Sequence, residues 1–220
     1  MAKAGPRTTG RASRRAQSGE VRAALVDAAI AALHDVGFAG ASAREIAARA
    51  GYSQALVFYH FGSVNDLLLA ALDEVSARRM DAYRGLLQGA SSVTELMDSA
   101  RAIFADDLDA GYVRVLIELI TASHAMPGLG EHVAARLQPW RDLAEDAVRR
   151  LLGRSPAARL LPPAEAAHAL VAGFLGLELL ASLDGDRTAA LAVFDRFRSL
   201  TMMLDLLGAL RLPGVGKDDT

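Results

Sequence analysis

The chain has 220 residues, of which 52% are hydrophobic and 23% charged, a composition typical of a folded globular protein and not of a disordered one. It contains no cysteine, which excludes disulfide bonds, thiolate metal sites and cysteine nucleophiles. The net charge of −2 is unevenly distributed: eight basic and four acidic residues give residues 1–62 a charge of +4, and the remainder carries −6. A basic N-terminal third on an acidic body indicates a polyanionic partner at one end, although a solubilising tail would have the same charge.

Residues 1–17 are rich in Arg, Ser, Thr and Gly and show no apolar period, so we predict a flexible basic arm. The following residues, 21–36, repeat apolar side chains every three or four positions, which predicts a helix with Gly37 at its C-cap. The N-terminus has no apolar region of the kind found in secretory signals. The apolar stretch Ala166–Leu177 is interrupted by Glu178 and is judged too short to cross a bilayer. We therefore expect a cytoplasmic protein that does not enter a membrane.

Two short helices follow the first one. The capping box Ser42-Ala-Arg-Glu45 opens one of them, and Gly51 lies in the tight turn before the next, which Ser53 can cap. In the second of these helices Val57 and Phe61 are expected to face inward. Two helices joined by a short turn that contains Gly match the helix-turn-helix, in which the first helix braces and the second enters the major groove of DNA. An ordinary helical corner has the same pattern.

A long fourth helix is predicted from Ser63 to about Leu87. The body that follows is also helical, because alternating apolar and polar runs are absent and Ala and Leu dominate. Gly and Pro residues divide it into helices at about 92–108, 112–125, 131–152, 163–184 and 187–210.

The second helix of the helix-turn-helix carries side chains that suit base and phosphate contacts. Gln54 can pair bidentately with adenine, and Ala55 and Leu56 offer apolar contact to a thymine methyl. Tyr59 and His60 can donate hydrogen bonds to phosphates.

Several motifs follow one another between residues 23 and 69. They are Ala28-Ala29-x-x-x-Leu33-x-x-x-Gly37-Phe38, then Ser42-x-x-x-Ile46-Ala47-x-x-Ala50-Gly51-Tyr52-Ser53, then Phe58-Tyr59-His60-Phe61 and Leu67-Leu68. This combination resembles the DNA-binding domain of the tetracycline-repressor (TetR/AcrR-like) family. The resemblance implies a homodimer that binds a palindromic double-stranded operator and releases it when an unknown small-molecule effector fills a cavity in the body. It also implies a transcriptional regulator, in the first place a repressor, and neither an enzyme nor a cofactor-binding protein. The DNA-binding residues that it implies are Ser42, Arg44, Tyr52, Ser53, Gln54, Ala55, Leu56, Phe58, Tyr59 and His60.

Three positions depart from that family's pattern. The family commonly has Tyr at the position of Phe58, Gly near Ala55, and Lys around the start of the fourth helix, where this chain has Gly62 and Val64. The missing tyrosine hydroxyl suggests that the N-terminal arm supplies part of the grip on the DNA backbone.

The body holds several candidates for a ligand pocket, which is typically apolar with a few polar groups that orient the ligand. Glu178 lies in an apolar run, so it lines either a pocket or the edge of a dimer interface. Residues such as Trp140 and Phe174 are more often plain core than pocket lining, and a histidine near a helix end, such as His124, is usually a solvated or capping residue. The candidates are Phe104, Tyr112, Glu118, His124, Met126, Trp140, Phe174 and Glu178.

The last two predicted helices each carry a broad apolar stripe, and Gly173 and Gly176 would let a partner helix approach closely. We expect them to form a four-helix interface between two copies, through residues 163–210. The single Glu165-x-x-His168 motif is insufficient for a di-iron site, so no metal site is predicted.

The predicted architecture is all-α, an N-terminal three-helix helix-turn-helix domain followed by a C-terminal helical ligand-binding and dimerisation bundle. Its parts are the arm 1–17, the DNA-binding domain 18–62, a linking helix 63–87, the ligand-binding and dimerisation domain 88–212, and a tail 213–220. Two alternatives remain at this point. The first is a helical enzyme, which predicts clustered acid and base residues inside the bundle. The second is a non-DNA-binding adaptor of the same fold, which predicts no basic surface near the turn, whereas the N-terminal third carries +4.

Overall fold

The computed structural model describes residues 9–89, 93–126, 128–152 and 162–209, and within those ranges it contains nine helices and no strand. The all-α prediction is confirmed. In chain order the helices are α1 Thr9–Gly40, α2 Ala43–Ala50, α3 Gln54–Phe61, α4 Val64–Gly89, α5 Val93–Ala110, α6 Tyr112–Ser123, α7 Leu129–Leu152, α8 Pro163–Asp184 and α9 Thr188–Ala209.

Helix α1 differs from the prediction at its start. It begins at Thr9, so residues 9–17, predicted to belong to a flexible arm, are helical, while residues 1–8 lie outside the described part of the chain. Alanine and arginine are good helix formers, and adding a turn to an existing helix costs far less than nucleating a new one. The predicted end is confirmed: Gly37 has φ 68° and ψ −177°, which breaks the helix before a last short turn to Gly40.

The other helix boundaries follow local signals in the sequence. Pro163 occupies the first position of α8, where its missing N–H has no helical partner to lose, and Gly185 ends that helix with φ 66°. Ser63 precedes α4 and caps it: its hydroxyl accepts a hydrogen bond from Asp66 N at 3.1 Å. The predicted start of the fifth helix, at about residue 92, lies outside the described residues.

The described chain divides into two compact units. The first comprises residues within Met1–Arg79 and Gly111–Gln138. In it α1 packs against α2 and α6, and α2 packs against α3. The side chains of α1 that are wholly buried are Leu25, Ala29, Ala32 and Leu33.

The second unit comprises residues within Met80–Ala110 and Pro139–Thr220. Its core centres on Phe104, which is fully buried beside Ala181 and Ala190 and packs against the half-buried rings of Phe174 and Phe194. The domain boundaries predicted from the sequence at residues 62 and 88 stay predictions.

Three ion pairs join α5 to α9 within the second unit. Arg101 Nε lies 2.9 Å from Asp195 Oδ1, Arg198 Nε lies 2.7 Å from Asp98 Oδ1, and Arg187, just before α9, lies 2.5 Å from Asp109 Oδ1. As the residue numbers of the paired side chains rise along α5, those of their partners toward α9 fall, so the two helices are antiparallel. Exposed pairs of this kind contribute little stability each, but opposite charges in matching positions favour this register over a shifted one.

Two described segments are long and apolar enough, by length and composition alone, to cross a membrane: Arg15–Gly40 and Pro163–Leu183. The segment Pro163–Leu183 of α8 is therefore long enough to cross a bilayer, whereas the shorter stretch Ala166–Leu177 was expected to be too short. The apolar side of α1 is already buried inside the first unit, with Leu25 and Leu33 wholly covered. Helix α8 instead keeps exposed leucines, which need another covering surface.

We expect Phe104→Ala to destabilise the second unit by about 3–5 kcal/mol, because it removes a buried ring and leaves a cavity that its neighbours cannot fill. Urea unfolding at a fixed protein concentration, followed by the fluorescence of the chain's one tryptophan, Trp140 in the same unit, measures this. Phe58→Ala removes a ring that is 46% exposed and is the matched control. Equal shifts in the two variants would contradict the assignment of Phe104 to the core.

Candidate functional sites

The turn between α2 and α3 has the geometry of a helix-turn-helix. Ser42 caps α2, with its hydroxyl accepting a hydrogen bond from Glu45 N at 3.2 Å. The reciprocal half of the predicted box does not form, since Ser42 N donates to Gly40 O and Glu45 Oε1 accepts from Arg49. Gly51 then adopts φ 74° and ψ 24°, and Tyr52 N donates to Ala47 O at 2.9 Å, which turns the chain sharply into α3.

Helix α3 presents one side to the protein and the rest outward. Val57 is its buried residue, as predicted, while Ile46 and Ala47 are buried on α2. Phe61, also expected to face inward, is half-buried and lies beneath the Arg22 guanidinium, 4.9 Å from the ring centroid. Arg22 on α1 therefore covers the C-terminal end of α3 by a cation–π contact.

The residues predicted to contact DNA lie on the outward side of α2, the turn and α3. Most are exposed, and Tyr59 is 79% exposed, with the edge of its ring against His60 at a centroid distance of 5.0 Å. Phe58 is 46% exposed, so its ring is available at the surface and is not part of the core. The exposed residues are Ser42, Arg44, Tyr52, Ser53, Gln54, Ala55, Phe58 and Tyr59, and the half-buried ones are Leu56 and His60.

The charges of α1 and α2 are joined by a small ion-pair network. Arg49 donates from Nη1 to Asp35 Oδ2 at 2.6 Å and from Nε to Glu45 Oε1 at 2.7 Å. His34 Nδ1 lies 3.1 Å from the other oxygen of Asp35. Hydrogen bonds from Arg49 first, and then from His34, lower the pKa of Asp35 below its ordinary value of 3.8.

The ligand candidates fall into two groups. Four of them, Phe104, Trp140, Phe174 and Glu178, lie in the second unit. Their rings form a chain of edge contacts through Tyr83: the Trp140–Tyr83 and Tyr83–Phe174 centroid distances are both 5.7 Å, and Phe174–Phe104 is 5.0 Å. Glu178 is 2% exposed. The structure thus brings the three aromatic candidates into one aromatic region, and Glu178 is buried on the same helix as Phe174.

The other four candidates, Tyr112, Glu118, His124 and Met126, lie in the first unit on or just after α6. The Tyr112 ring has the Arg79 guanidinium 5.9 Å from its centroid. Glu118 accepts a hydrogen bond from Phe38 N at 2.8 Å, and His124 is exposed with Nδ1 3.0 Å from Ile120 O. Met126 is half-buried.

Sequence reasoning missed Tyr83 and Asp107 in the aromatic region. Asp107 is 4% exposed, and the Tyr83 hydroxyl donates to its Oδ2 at 3.1 Å. Tyr83 lies on α4, which the sequence analysis treated only as a connection. The signal available in the sequence was an aromatic residue on the fourth helix, Tyr83, followed by a carboxylate on the next helix, Asp107.

Within the described residues, no group of three or more His, Asp or Glu side chains is placed to hold a metal ion. Glu165 and His168 are both exposed in α8. The structure thus gives the Glu165-x-x-His168 motif no companion ligands in the described chain.

The helix-turn-helix matches a known family of bacterial regulatory proteins. The profile of the family described as "Bacterial regulatory proteins, tetR family" matches residues 25–71. An uncharacterized HTH-type transcriptional regulator of Mycobacterium bovis is 30% identical over 134 residues, which are 61% of this chain and 69% of that protein.

Solved structures share the fold over most of the chain. A structure described as a TetR-family transcriptional regulator from Rhodococcus sp. aligns with a TM-score of 0.67 and 24% identity, covering 80% of this chain and 97% of that one. The fatty acid degradation regulator FadR from Bacillus halodurans aligns with a TM-score of 0.68 and 18% identity, covering 86% and 98%. At these identities the likeness concerns the fold alone.

We expect the pKa of Asp35 to rise toward 3.8 in Arg49→Gln, because the main hydrogen bond that favours the charged carboxylate is lost. A carboxyl-carbon NMR titration measures it, with Arg44→Gln on the same exposed helix as the control. Because the folded-state pKa is depressed, the stabilisation is present above pH 3.8 and is lost as the pH falls through the lower folded value. An unchanged Asp35 titration in Arg49→Gln would contradict the ion-pair network.

Proposed function

We propose that this chain is a dimeric repressor whose operator binding is relieved by a small molecule. The chain belongs to the tetR family of bacterial regulatory proteins and is a DNA-binding transcriptional regulator. The observation that carries the proposal is the outward face of α3. One buried side chain holds this helix, and its remaining residues are exposed or half-buried around an exposed tyrosine. A helix presented in this way can enter a major groove, which is about 12 Å wide.

The proposed reading surface runs from the N-cap of α2 to the end of α3. Gln54 and Ala55, at the N-terminal end of α3, are placed to meet base edges, where the recognition helix of such motifs makes its base contacts. Arg44 and Tyr59, both exposed, suit phosphates. Residues 18–62 would form the DNA-binding domain, and basic residues N-terminal to them would add grip on the backbone.

The proposed dimer interface is the exposed apolar surface of α8 and α9. On α8, Leu180 and Leu183 are 57% and 72% exposed, and a side chain added at Gly173 or Gly176 would meet open space. On α9, a shallow groove is lined by Ala189, Ala192, Val193, Arg196, Phe197 and Leu200. Apolar faces of this extent are normally covered, and a second copy offers the same faces in a two-fold arrangement.

The proposed effector site is the aromatic region of the second unit, with Phe104, Trp140, Phe174 and Glu178 as candidate lining residues. Rings that meet edge to edge, with Glu178 buried nearby in sequence on α8, resemble the mixture of apolar walls and few polar groups found in ligand pockets. Thermodynamic linkage requires that an effector which weakens operator binding is itself bound more weakly in the presence of operator. The protein would act in the cytoplasm, where its operator lies.

Gln54→Ala should cost about 1–3 kcal/mol of operator affinity and relax base preference at one position of each half-site, because a bidentate contact to a base edge is removed. The operator is obtained by selecting duplexes from random DNA, and affinity is measured by fluorescence anisotropy. Gln88→Ala, an exposed glutamine on α4, is the control and should bind as the wild type does. Selection that yields no palindromic duplex would refute the proposal of a dimeric operator-binding repressor.

Phe197→Asp should convert the protein to a monomer at micromolar concentration, because it places a charge on an apolar face that the dimer would bury. Sedimentation velocity measures the change. Tyr59→Asp alters an even more exposed aromatic residue on α3 and should leave the dimer intact. A wild-type chain that sediments as a monomer at this concentration would refute the interface.

A further inference from the structure

Helix α1 is broken at Gly37, and the break leaves a main-chain donor to be satisfied. Gly37 has φ 68° and ψ −177°, a backbone conformation that residues other than glycine rarely adopt. The next amide, Phe38 N, donates 2.8 Å to Oε2 of Glu118, a residue 80 positions further along the chain on α6. A carboxylate on α6 therefore supplies the acceptor that the broken helix lacks.

The approach between these groups is close. A Cβ built on Gly37 would lie 3.0 Å from Glu118 Oε2 and 3.3 Å from its Cδ. Glycine at position 37 thus serves two purposes, since it permits the backbone conformation and leaves room for the carboxylate. Hydrogen bonds between charged and main-chain groups span only about 2.7–3.2 Å, so a movement of α6 by an ångström along α1 breaks this one.

A second contact joins the same two helices one turn away. A Cβ built on Gly111, just before α6, would lie 2.6 Å from His34 Cδ2 and 2.8 Å from His34 Nε2. His34 is also 3.1 Å from Asp35, which accepts a hydrogen bond from Arg49 on α2. The contacts therefore form a chain from the start of α6, through the end of α1, to the bracing helix of the helix-turn-helix.

We propose that Glu118 is a positioning residue for DNA binding: its carboxylate locks the end of α1 to α6 and so sets the placement of α2 and α3. The inference rests on the proposed operator binding. In this proposal Glu118 acts through Phe38 and not by contact with DNA. Two recognition helices must meet major grooves about 34 Å apart, so a looser α1–α6 contact lowers binding to a palindromic operator and spares non-specific binding.

The test compares two substitutions at Glu118. Glu118→Gln keeps an oxygen acceptor for Phe38 N, whereas Glu118→Met has a similar length and helix preference but no such acceptor. Glu131→Met, at an exposed glutamate in the first turn of α7, is the matched control. Hydrogen exchange at the Phe38 amide reports the lock without any DNA, and anisotropy measures binding to the selected operator and to unrelated duplex.

We expect Glu118→Met to speed exchange at Phe38 and to weaken operator binding at least tenfold, with binding to unrelated DNA changed less than twofold. Glu118→Gln should stay close to wild type in all three measurements, and Glu131→Met should match it. If Glu118→Met does not fold, Gly111→Ala crowds His34 at the second α1–α6 contact and should likewise weaken operator binding more than binding to unrelated DNA.

Three outcomes would overturn the proposal. Faster exchange at Phe38 with operator binding unchanged would make the bond purely structural. Equal losses of operator and unrelated DNA binding would indicate general damage and no positioning role. A wild-type protein that selects no operator would overturn the proposed function, and this role with it, while Phe38 exchange in the same variants would still report whether the lock forms.

Discussion

Burial of Val57 decides which side of α3 faces outward. This helix has eight residues, too few to be stable in water by itself, and Val57 is its one fully buried side chain. Capping at Ser42, the left-handed turn at Gly51 and the packing of α2 against α3 hold the short helix in place. The exposed glutamine, phenylalanine and tyrosine of α3 are arranged as a surface only because that single valine points the other way.

The same unit shows how a helix-turn-helix is attached to the rest of its fold by a small number of polar contacts. The apolar stripe of α1 is wholly buried at Leu25, Ala29, Ala32 and Leu33, but apolar packing alone allows helices to slide. Directional contacts restrict that freedom. The Phe38–Glu118 hydrogen bond and the Asp35–Arg49 ion pair each join elements far apart in the chain, and both cluster at the end of α1.

In the second unit, α8 and α9 carry apolar residues on more than one side. Ala181 and Ala190 face the core around Phe104, while Leu183 and Phe197 remain exposed. A helix that is apolar all round requires covering on each side. The groove around Phe197 does not include Asp195 or Arg198, the residues of α9 that form ion pairs with α5.

The sequence predicted those features that depend on neighbours in the chain. Ser42, Gly51 and Pro163 mark helix ends because capping and backbone strain act within a few residues. The arm was the exception, since helical structure extends into residues 9–17 from the stable helix behind them. The outward position of Gln54 and Tyr59 followed from the helical period and the resemblance together, whereas their role in reading DNA stays a prediction.

Long-range partners could not be derived in the same way. Glu118 was predicted as a candidate for a ligand pocket, and the structure gives its carboxylate the amide of Phe38 as a partner. Tyr83 was overlooked, although it links Trp140 to Phe174. Periodicity and caps, which are local, thus determined the helices and the outward face of α3. Which helices meet, and which polar groups pair between them, was decided only by tertiary packing, because such pairs depend on distances between residues far apart in the chain.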